Sequence, residues 1–296
     1  MRSIHLAIGL LLLGPLVGCE TLSIFNPKPP EAPMPTTTPS VESLVGYLND
    51  NANRIQSIRC TDVDITASRG FQSIGLRGKM MAMKSRNFYL SATVLGSPAV
   101  DLGSNNEEFW FWMSKGEPPH QFFCSYRDYE AGRVRQLPFP FQPEWIMEAM
   151  GMGPYGPADK FTLETDAKTL RLVEKTRTPQ GNPIRKVIVL NRRPVQAPSP
   201  QILAFLLIDD TDGKEIASAN IQDIQIDSAT GALVPRRMDL RWPAQNAKLA
   251  LQFNGLNVNP QLDVASFQRQ PLRDVPSINL ATMQPADIQR TQSFGK

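Results

Sequence analysis

The stretch IGLRGKMMAMKSRNFYLSATV, residues 74–94, decides the fold because apolar side chains recur in it at every second position. One face of its first half is formed by Ile74, Leu76, Gly78, Met80 and Ala82, and one face of its second half by Phe88, Leu90, Ala92 and Val94. Such alternation is typical of strands with one buried face. The stretch therefore predicts two neighbouring strands, each with an apolar side.

Further strand-like runs lie on both sides of this stretch. They occupy residues 58–67, 108–113, 121–127, 161–165, 169–175, 185–191, 202–209, 218–227, 233–242 and 247–258. Short strands at regular spacing, separated by turn signals such as Asp212-Gly213 and Thr230-Gly231, are typical of an antiparallel sheet that curls toward a barrel. We therefore expect an α+β fold, mainly antiparallel β: a half-open, curled barrel of about eleven strands.

Two segments have the spacing of helices rather than strands. In the first, apolar residues recur at three- and four-residue intervals behind Pro39 and Ser40, namely Val41, Leu44, Val45, Leu48, Ala52 and Ile55. The second covers residues 143–150, where Pro143 suits a first helical turn and Gly151 and Gly153 end the helix. We expect these helices to form a lid over the apolar interior of the sheet.

The run of residues 109–113, FWFWM, is apolar on both faces of its strand. Both faces must therefore be covered. One interpretation is an ordinary packed core. The other is that one side of the strand lines an interior cavity while the opposite side contacts a helix.

The first nineteen residues have the order of a secretory leader, with Arg2, an apolar run from residue 6 to residue 13, and then Leu16-Val17-Gly18-Cys19. The apolar run is too short for a membrane span. Leu-Val-Gly-Cys resembles the lipobox of bacterial lipoproteins, which implies cleavage before Cys19 and lipid on its thiol. An ordinary leader with a chance cysteine is the alternative. Glu20, in place of the aspartate of inner-membrane retention, favours the outer membrane.

Composition divides the chain into four parts. Residues 1–18 are the predicted signal peptide, and residues 19–40 form a proline-rich tether that should be extended. Residues 41–271 are long enough for one domain with a large core. Residues 272–296 lack periodicity and are expected to form a tail that is loose or laid along the surface. The domain is expected in the cell envelope, facing the periplasm.

The charge and cysteine content exclude several classes of function. Without the leader, 30 basic residues face 28 acidic ones, a balance that gives no reason to expect nucleic acid as a partner. Cys60 and Cys124 form a disulfide in one interpretation and remain buried free thiols in the other. His120 is the only histidine after the leader, so a histidine-based triad is hard to build. We expect no cofactor and no metal.

The order of these elements resembles the LolA and LolB family of lipoprotein carriers and receptors. The resemblance covers roughly residues 41–271 and rests on loose motifs. Its basic-and-aromatic hairpin matches Arg86 and Phe88 after Gly75 and Gly78, although Arg86-Asn87 replaces the usual Pro-Gly. The remaining matches are Asn105, Asn106, Glu107, Asp227, Thr230, Gly231, Leu233, Pro235, Leu262, Phe267 and Pro271. The soluble carrier lacks a lipobox, so Cys19 favours the receptor-like or a stand-alone lipid-binding type.

The resemblance implies a half-closed barrel whose apolar cavity takes acyl chains. The residues that it places on the cavity wall are Leu76, Met80, Phe88, Leu90, Phe109 and Phe111. In the receptor, a loop after the third strand exposes a leucine that helps to push lipid into the membrane. Leu95 holds the matching place here. An ordinary buried leucine at the end of a strand is the alternative.

Three functions follow from these observations. The first is a membrane-anchored envelope lipoprotein that binds lipid or lipoprotein acyl chains non-covalently. Its partners are those chains and an envelope protein. The second is a structural or protein-interaction lipoprotein with a packed barrel and no ligand. The third, a hydrolase using Asp101, Glu107 and Glu108, lacks a nucleophile elbow, metal-ligand spacing or a phosphate loop. We therefore expect no enzyme.

Overall fold

A computed structural model describes residues 38–115, 120–134, 137, 142–192 and 201–283. The predicted leader, Cys19 and most of the tether lie outside the described residues. The strands are β1 (Ser57–Arg69), β2 (Gln72–Met83), β3 (Asn87–Val94), β4 (Ser97–Ser104), β5 (Glu108–Met113), β6 (Gln121–Ser125), β7 (Phe161–Thr165), β8 (Thr169–Arg177), β9 (Pro183–Asn191), β10 (Ile202–Asp209), β11 (Glu215–Ile226), β12 (Leu233–Trp242), β13 (Ala247–Val258) and β14 (Ser277–Asn279).

Three short α-helices accompany the strands. They are α1 (Val41–Asn53), α2 (Tyr126–Glu130) and α3 (Pro143–Ala149), with single 3-10 turns at Ala158–Lys160, Pro243–Gln245 and Val264–Phe267. Ser40 caps α1 by accepting a hydrogen bond from the Ser43 amide at 3.2 Å, and Pro143 occupies the first turn of α3. Both helices predicted from the sequence are therefore present.

All fourteen strands belong to one sheet in the order β14-β6-β5-β4-β3-β2-β1-β13-β12-β11-β10-β9-β8-β7. Every pair is antiparallel except β14 with β6. β1 is the central seam, because it pairs with β2 on one side and with β13 on the other. Within the described residues, β14 and β7 remain as two edges, so the sheet is not closed. The prediction of a mainly antiparallel, unclosed sheet is confirmed, whereas the expected eleven strands are too few.

One face of the sheet, here called the inner face, carries the helices and the main core. The cross-strand rows of this face run through Met80, Leu90, Leu102 and Phe111, which are partners on β2, β3, β4 and β5. The apolar stripe of α1 packs into the same core through Leu44, Val45, Leu48 and Ala52. Burial of this stripe supplies most of the stability of a helix of this length.

The opposite face, here called the outer face, is covered over β5 and β6 by the chain that follows β13. Phe109 and Phe111 point to the inner face, and Trp110, on the outer face, is fully buried. Arg269 lies 3.9 Å from the ring centre of Phe123 and bonds Glu108 at 3.0 Å. Both faces of the FWFWM run are therefore covered, one by the core and one by this returning segment.

The loose-tail expectation needs correction for residues 272–283. Ser277–Asn279 adds a parallel strand to β6, and Ser277 donates a hydrogen bond to the buried Gln121 at 3.0 Å. Leu280 is buried in the main core. The sequence did not predict this docking, because the segment is mostly polar and a strand of three residues is too short to show a period. Residues 284–296 lie outside the described part of the chain.

Candidate functional site

The six residues proposed for a cavity wall do share one surface. Leu76, Met80, Phe88, Leu90, Phe109 and Phe111 all lie on the inner face and belong to one apolar cluster. Cross-strand pairing brings them side by side, since Met80 faces Leu90 and Ala82 faces Phe88. Each of the six is at least nine-tenths buried. Here they form packed core rather than an open wall.

Two clefts open instead at the other half of the inner face, beside α1 and α3. The first is lined by Tyr47, Leu48, Phe205, Ile221 and Ile224, among others. The second lies under α3. Each has a cavity volume of about 30 Å³, room for about two water molecules. None of the six candidate residues lines either cleft.

Polar contacts, together with the buried Leu48 and Ala52, fix the C-terminal half of α1. The Asn51 side chain donates to the Leu233 carbonyl at 2.9 Å and accepts from the Leu233 amide at 2.7 Å. Lys84, on the turn before β3, donates to the Ala52 carbonyl at 2.8 Å, and burial lowers its pKa. A cation at the last carbonyls of a helix also meets the negative end of its dipole. These contacts hold α1 against the inner face.

A second set of contacts holds α2 and α3. Arg86 pairs with Glu130 of α2 at 2.8 Å and with Glu144 of α3 at 3.3 Å, and its guanidinium lies 4.1 Å from the ring centre of Tyr126. Lys186 of β9 pairs with Glu148 at 3.5 Å. Burial raises the pKa of Glu148, and Lys186 partly offsets that shift. The basic hairpin residues of the sequence motif thus contact the helices that cover the inner face.

Sequence reasoning missed Asn51, Lys84 and Glu148 as functional candidates. Only Lys84 carried a signal, since it stands in the basic hairpin segment. The partner of Asn51 is the backbone of Leu233, 182 positions away, and no local pattern encodes that contact.

Leu95 lies at the tip of the β3–β4 hairpin and is fully exposed, which excludes the alternative of a buried strand-end leucine. Its φ of 48° and the 82° of Gly96 give both central turn residues positive values. Such turns favour Asn-Gly, and a leucine there is strained by roughly 1 kcal/mol. The side chain gains no burial in return within the folded domain. That combination motivates a role outside the domain core.

Cys60 and Cys124 are free thiols, so the disulfide interpretation is wrong. Cys60 lies on β1 and Cys124 on β6, with four strands of the sheet between them. Both side chains are buried, and burial raises the pKa of each thiol, that of Cys124 to about 11. A protonated, enclosed thiol is a poor nucleophile. The second interpretation, two buried thiols, is confirmed.

Two of the three carboxylates considered for hydrolysis, Asp101 and Glu108, have structural partners. Asp101 accepts from the Trp110 indole at 2.7 Å and from the Tyr89 hydroxyl at 3.2 Å, which uses both of its oxygens structurally. Burial raises the pKa of Asp101. Glu108 pairs with Arg269. In the residues that the structure describes, no three acidic, histidine or cysteine side chains are grouped to hold a metal.

No helix in the described ranges is long and apolar enough to cross a membrane.

Neither a protein-family model nor a curated protein matches the sequence. Solved structures do show similarity at low identity. A DUF1329 family protein from Desulfovibrio piger has a TM-score of 0.49 and 10% identity, over 77% of this chain and 95% of that one. A putative outer membrane lipoprotein-sorting protein domain from Vibrio parahaemolyticus gives 0.49 and 10%, over 75% and 95%. A LolA superfamily protein from Nitrosomonas europaea gives 0.44 and 9%, over 76% and 97%.

Proposed function

We propose that this chain is a lipid-anchored envelope protein of the carrier or receptor type, which shelters lipid or lipoprotein acyl chains against its inner face. The observation that carries the proposal is the inner face itself. It is apolar across the sheet, and short helices held by polar contacts cover it. Each methylene buried there contributes about 0.8 kcal/mol, so binding needs no catalysis.

Uptake of a chain requires α1 to move, because the clefts beside it are far smaller than an acyl chain. The cleft lined by Leu48, Phe205 and Ile224 marks where the cover is incomplete. The end of α1 leaves the sheet only if the Asn51 and Lys84 contacts are released and the buried Leu48 and Ala52 come away with it. Arg86 and Glu144 hold the other helix in the same way. The proposed chain therefore replaces the apolar stripe of α1 on the inner face.

Leu95 is proposed as the membrane-insertion residue of this protein. It is exposed, strained and apolar on a hairpin tip, and a bilayer offers the burial that the domain does not. Cys19 is proposed as the anchor, with the outer membrane favoured and the domain facing the periplasm.

A second function has one observation in its favour. The six inner-face candidates are packed core, which a structural or protein-interaction lipoprotein without a ligand also requires. The two functions differ in one measurable respect. The carrier type binds acyl chains when its cover opens, and the interaction type does not.

We expect the Cys19→Ala protein to incorporate no radiolabelled palmitate in cells, because the anchor thiol is gone. Cys60→Ala should label like the parent, because that thiol is buried and its pKa is raised. Label retained by Cys19→Ala would remove the anchor from the proposal.

A fluorescent fatty-acid analogue titrated into the unlipidated protein should bind, and Ile224→Glu should weaken binding about tenfold or more. A carboxylate beside hydrocarbon is costly, and Ile224 lines the cleft next to α1.

Asn51→Ala should instead speed uptake of the fatty-acid analogue, since it removes two hydrogen bonds that hold α1. Phe88→Asp is unsuitable, because a charge at a fully buried core position unfolds the domain.

Ile226→Glu is the matched control, being the same substitution on the same strand at an exposed position. Circular dichroism checks that each variant is folded. A parent protein that fails to bind at saturating ligand, or equal binding by the Ile224 and Ile226 variants, favours the interaction lipoprotein.

A further inference from the structure

Three of the large apolar side chains that the described chain exposes cluster on two neighbouring hairpins. Phe71 is 110% exposed at the β1–β2 turn, Ile74 is 40% exposed just after it, and Leu95 is 102% exposed at the β3–β4 turn. Single exposed apolar residues are ordinary, whereas a group of them at one end marks an interaction site.

Strand register places these residues at the same end of the sheet. Arg77 of β2 pairs with Thr93 of β3, so residue 75 lies level with Leu95. The β1–β2 hairpin therefore projects beyond the Leu95 turn by about four residues, roughly 13 Å. β13 supports the projecting hairpin as far as the pair of Arg69 with Ala247. Phe71 is thus held forward by paired strands rather than by a free loop.

The apolar side of β2 runs from the core toward this tip as far as Ile74, and Phe71 follows in the turn. Leu76 is buried, Ile74 is partly exposed and Phe71 is fully exposed. Nothing in the described chain covers the outermost members of this series. Exposed apolar side chains therefore continue from the end of the inner face into the β1–β2 turn.

The charged residues near the tips of the two hairpins are basic. Residues 65–79 contain Arg69, Arg77 and Lys79 and no acidic residue, and residues 91–100 contain no charged residue. Lys248, after the adjoining turn before β13, is paired with Asp239 at 2.8 Å. Arg77 approaches Asp62 and Asp64 at 3.9 and 3.7 Å, but its side chain stays largely exposed. Exposed apolar tips within a basic frame match a surface of anionic lipid headgroups over hydrocarbon.

We propose that the β1–β2 and β3–β4 hairpin tips form a docking surface for an anionic lipid bilayer, with Phe71 as its leading residue. The surface extends the proposed insertion role of Leu95 to a second, longer hairpin. It acts in addition to any lipid on Cys19 and does not depend on acyl-chain binding. Docking this end places the end of the inner face nearest the membrane.

The test is co-sedimentation of the unlipidated mature chain, residues 19–296 with Cys19→Ser, with vesicles of phosphatidylglycerol and phosphatidylcholine. We expect the parent to bind these vesicles, and Phe71→Ser to weaken partitioning about tenfold. Arg69→Gln should weaken it about fivefold on these vesicles and leave binding to pure phosphatidylcholine unchanged.

Two further variants separate docking from folding. Leu95→Asn relieves the strained turn, so its melting temperature should equal or exceed that of the parent while vesicle binding falls. Ile226→Ser alters an exposed isoleucine at the opposite end and should leave binding unchanged. A parent that stays in solution, unchanged binding by Phe71→Ser, or an equal loss with Ile226→Ser would overturn the docking surface.

A labelling measurement reports the docked residue directly. Because Cys60 and Cys124 are buried, a Gln72→Cys variant offers one reactive thiol for an environment-sensitive dye. Its emission should shift to the blue on anionic vesicles, whereas the same dye at Ile226→Cys should not respond. Failure of fatty-acid binding with intact vesicle docking would remove the carrier function alone, and the reverse result would remove the docking surface alone.

Discussion

Gly103→Ala is expected to lower the melting temperature by about 5–10 °C, although it adds one methyl group. A β-carbon on Gly103 would lie 2.2 Å from Cζ2 and 2.5 Å from Cε2 of Trp110. The indole cannot easily move, because it is fully buried and its nitrogen bonds Asp101 at 2.7 Å. Forcing it aside costs about 2–3 kcal/mol, and a domain of this size loses about 2–4 °C per kcal/mol.

Gly75→Ala is the matched control, since it lies in β2 and a β-carbon there meets nothing within 4 Å. Its melting temperature should equal or slightly exceed that of the parent. A double-mutant cycle tests the cause, because the cost of Gly103→Ala should nearly vanish in a Trp110→Leu background. A cost that persists in that background would show that the indole contact is not responsible.

Ending the chain after Pro271 is expected to lower the melting temperature by about 10 °C. The truncation removes the buried Leu280, worth about 2–3 kcal/mol, and the two backbone hydrogen bonds of 2.9 Å that flank β14. It also removes the hydrogen bond that Ser277 donates to Gln121, a fully buried residue on β6. Differential scanning fluorimetry measures the change.

Point variants locate the effect within the removed segment. Leu280→Ala should reproduce roughly half of the loss, and Thr282→Ala, at an exposed position, should leave the melting temperature unchanged. A truncated protein that melts with the parent would return this segment to the loose tail that the sequence suggested.

Local periodicity was sufficient for most of the sheet. The runs at 108–113, 161–165, 202–209, 233–242 and 247–258 coincide with β5, β7, β10, β12 and β13. Their alternation follows from a sheet that buries one face. β4 was not predicted, because Pro98, Asp101 and Gly103 are residue types that are depleted in strands. Two of these residues have a tertiary reason, since Asp101 and Gly103 accommodate Trp110 on the outer face.

The sequence predicted which candidate residues share the inner face, but not whether that face encloses a cavity. Alternation places Met80, Phe88 and Leu90 on one face, and the structure agrees. Whether that face encloses space depends on how α1 and α3 pack across it, which the pattern of a strand does not encode. The cysteine pairing was unpredictable for a related reason. Strand order, and hence the four strands between Cys60 and Cys124, is absent from local sequence.

The central seam has a consequence for folding kinetics. Neighbours from β2 to β6 and from β7 to β13 are consecutive in sequence, so each half of the sheet is a succession of local hairpins. Among the described strands, the two halves pair with each other only where β1 meets β13, along partners about 180 to 200 positions apart. Closing so long a loop raises the contact order and slows the reaction. The N-terminal strand therefore waits with one edge unpaired until nearly the whole chain has been made, and the joining of the halves sets the rate at which the domain becomes protected against association through that edge.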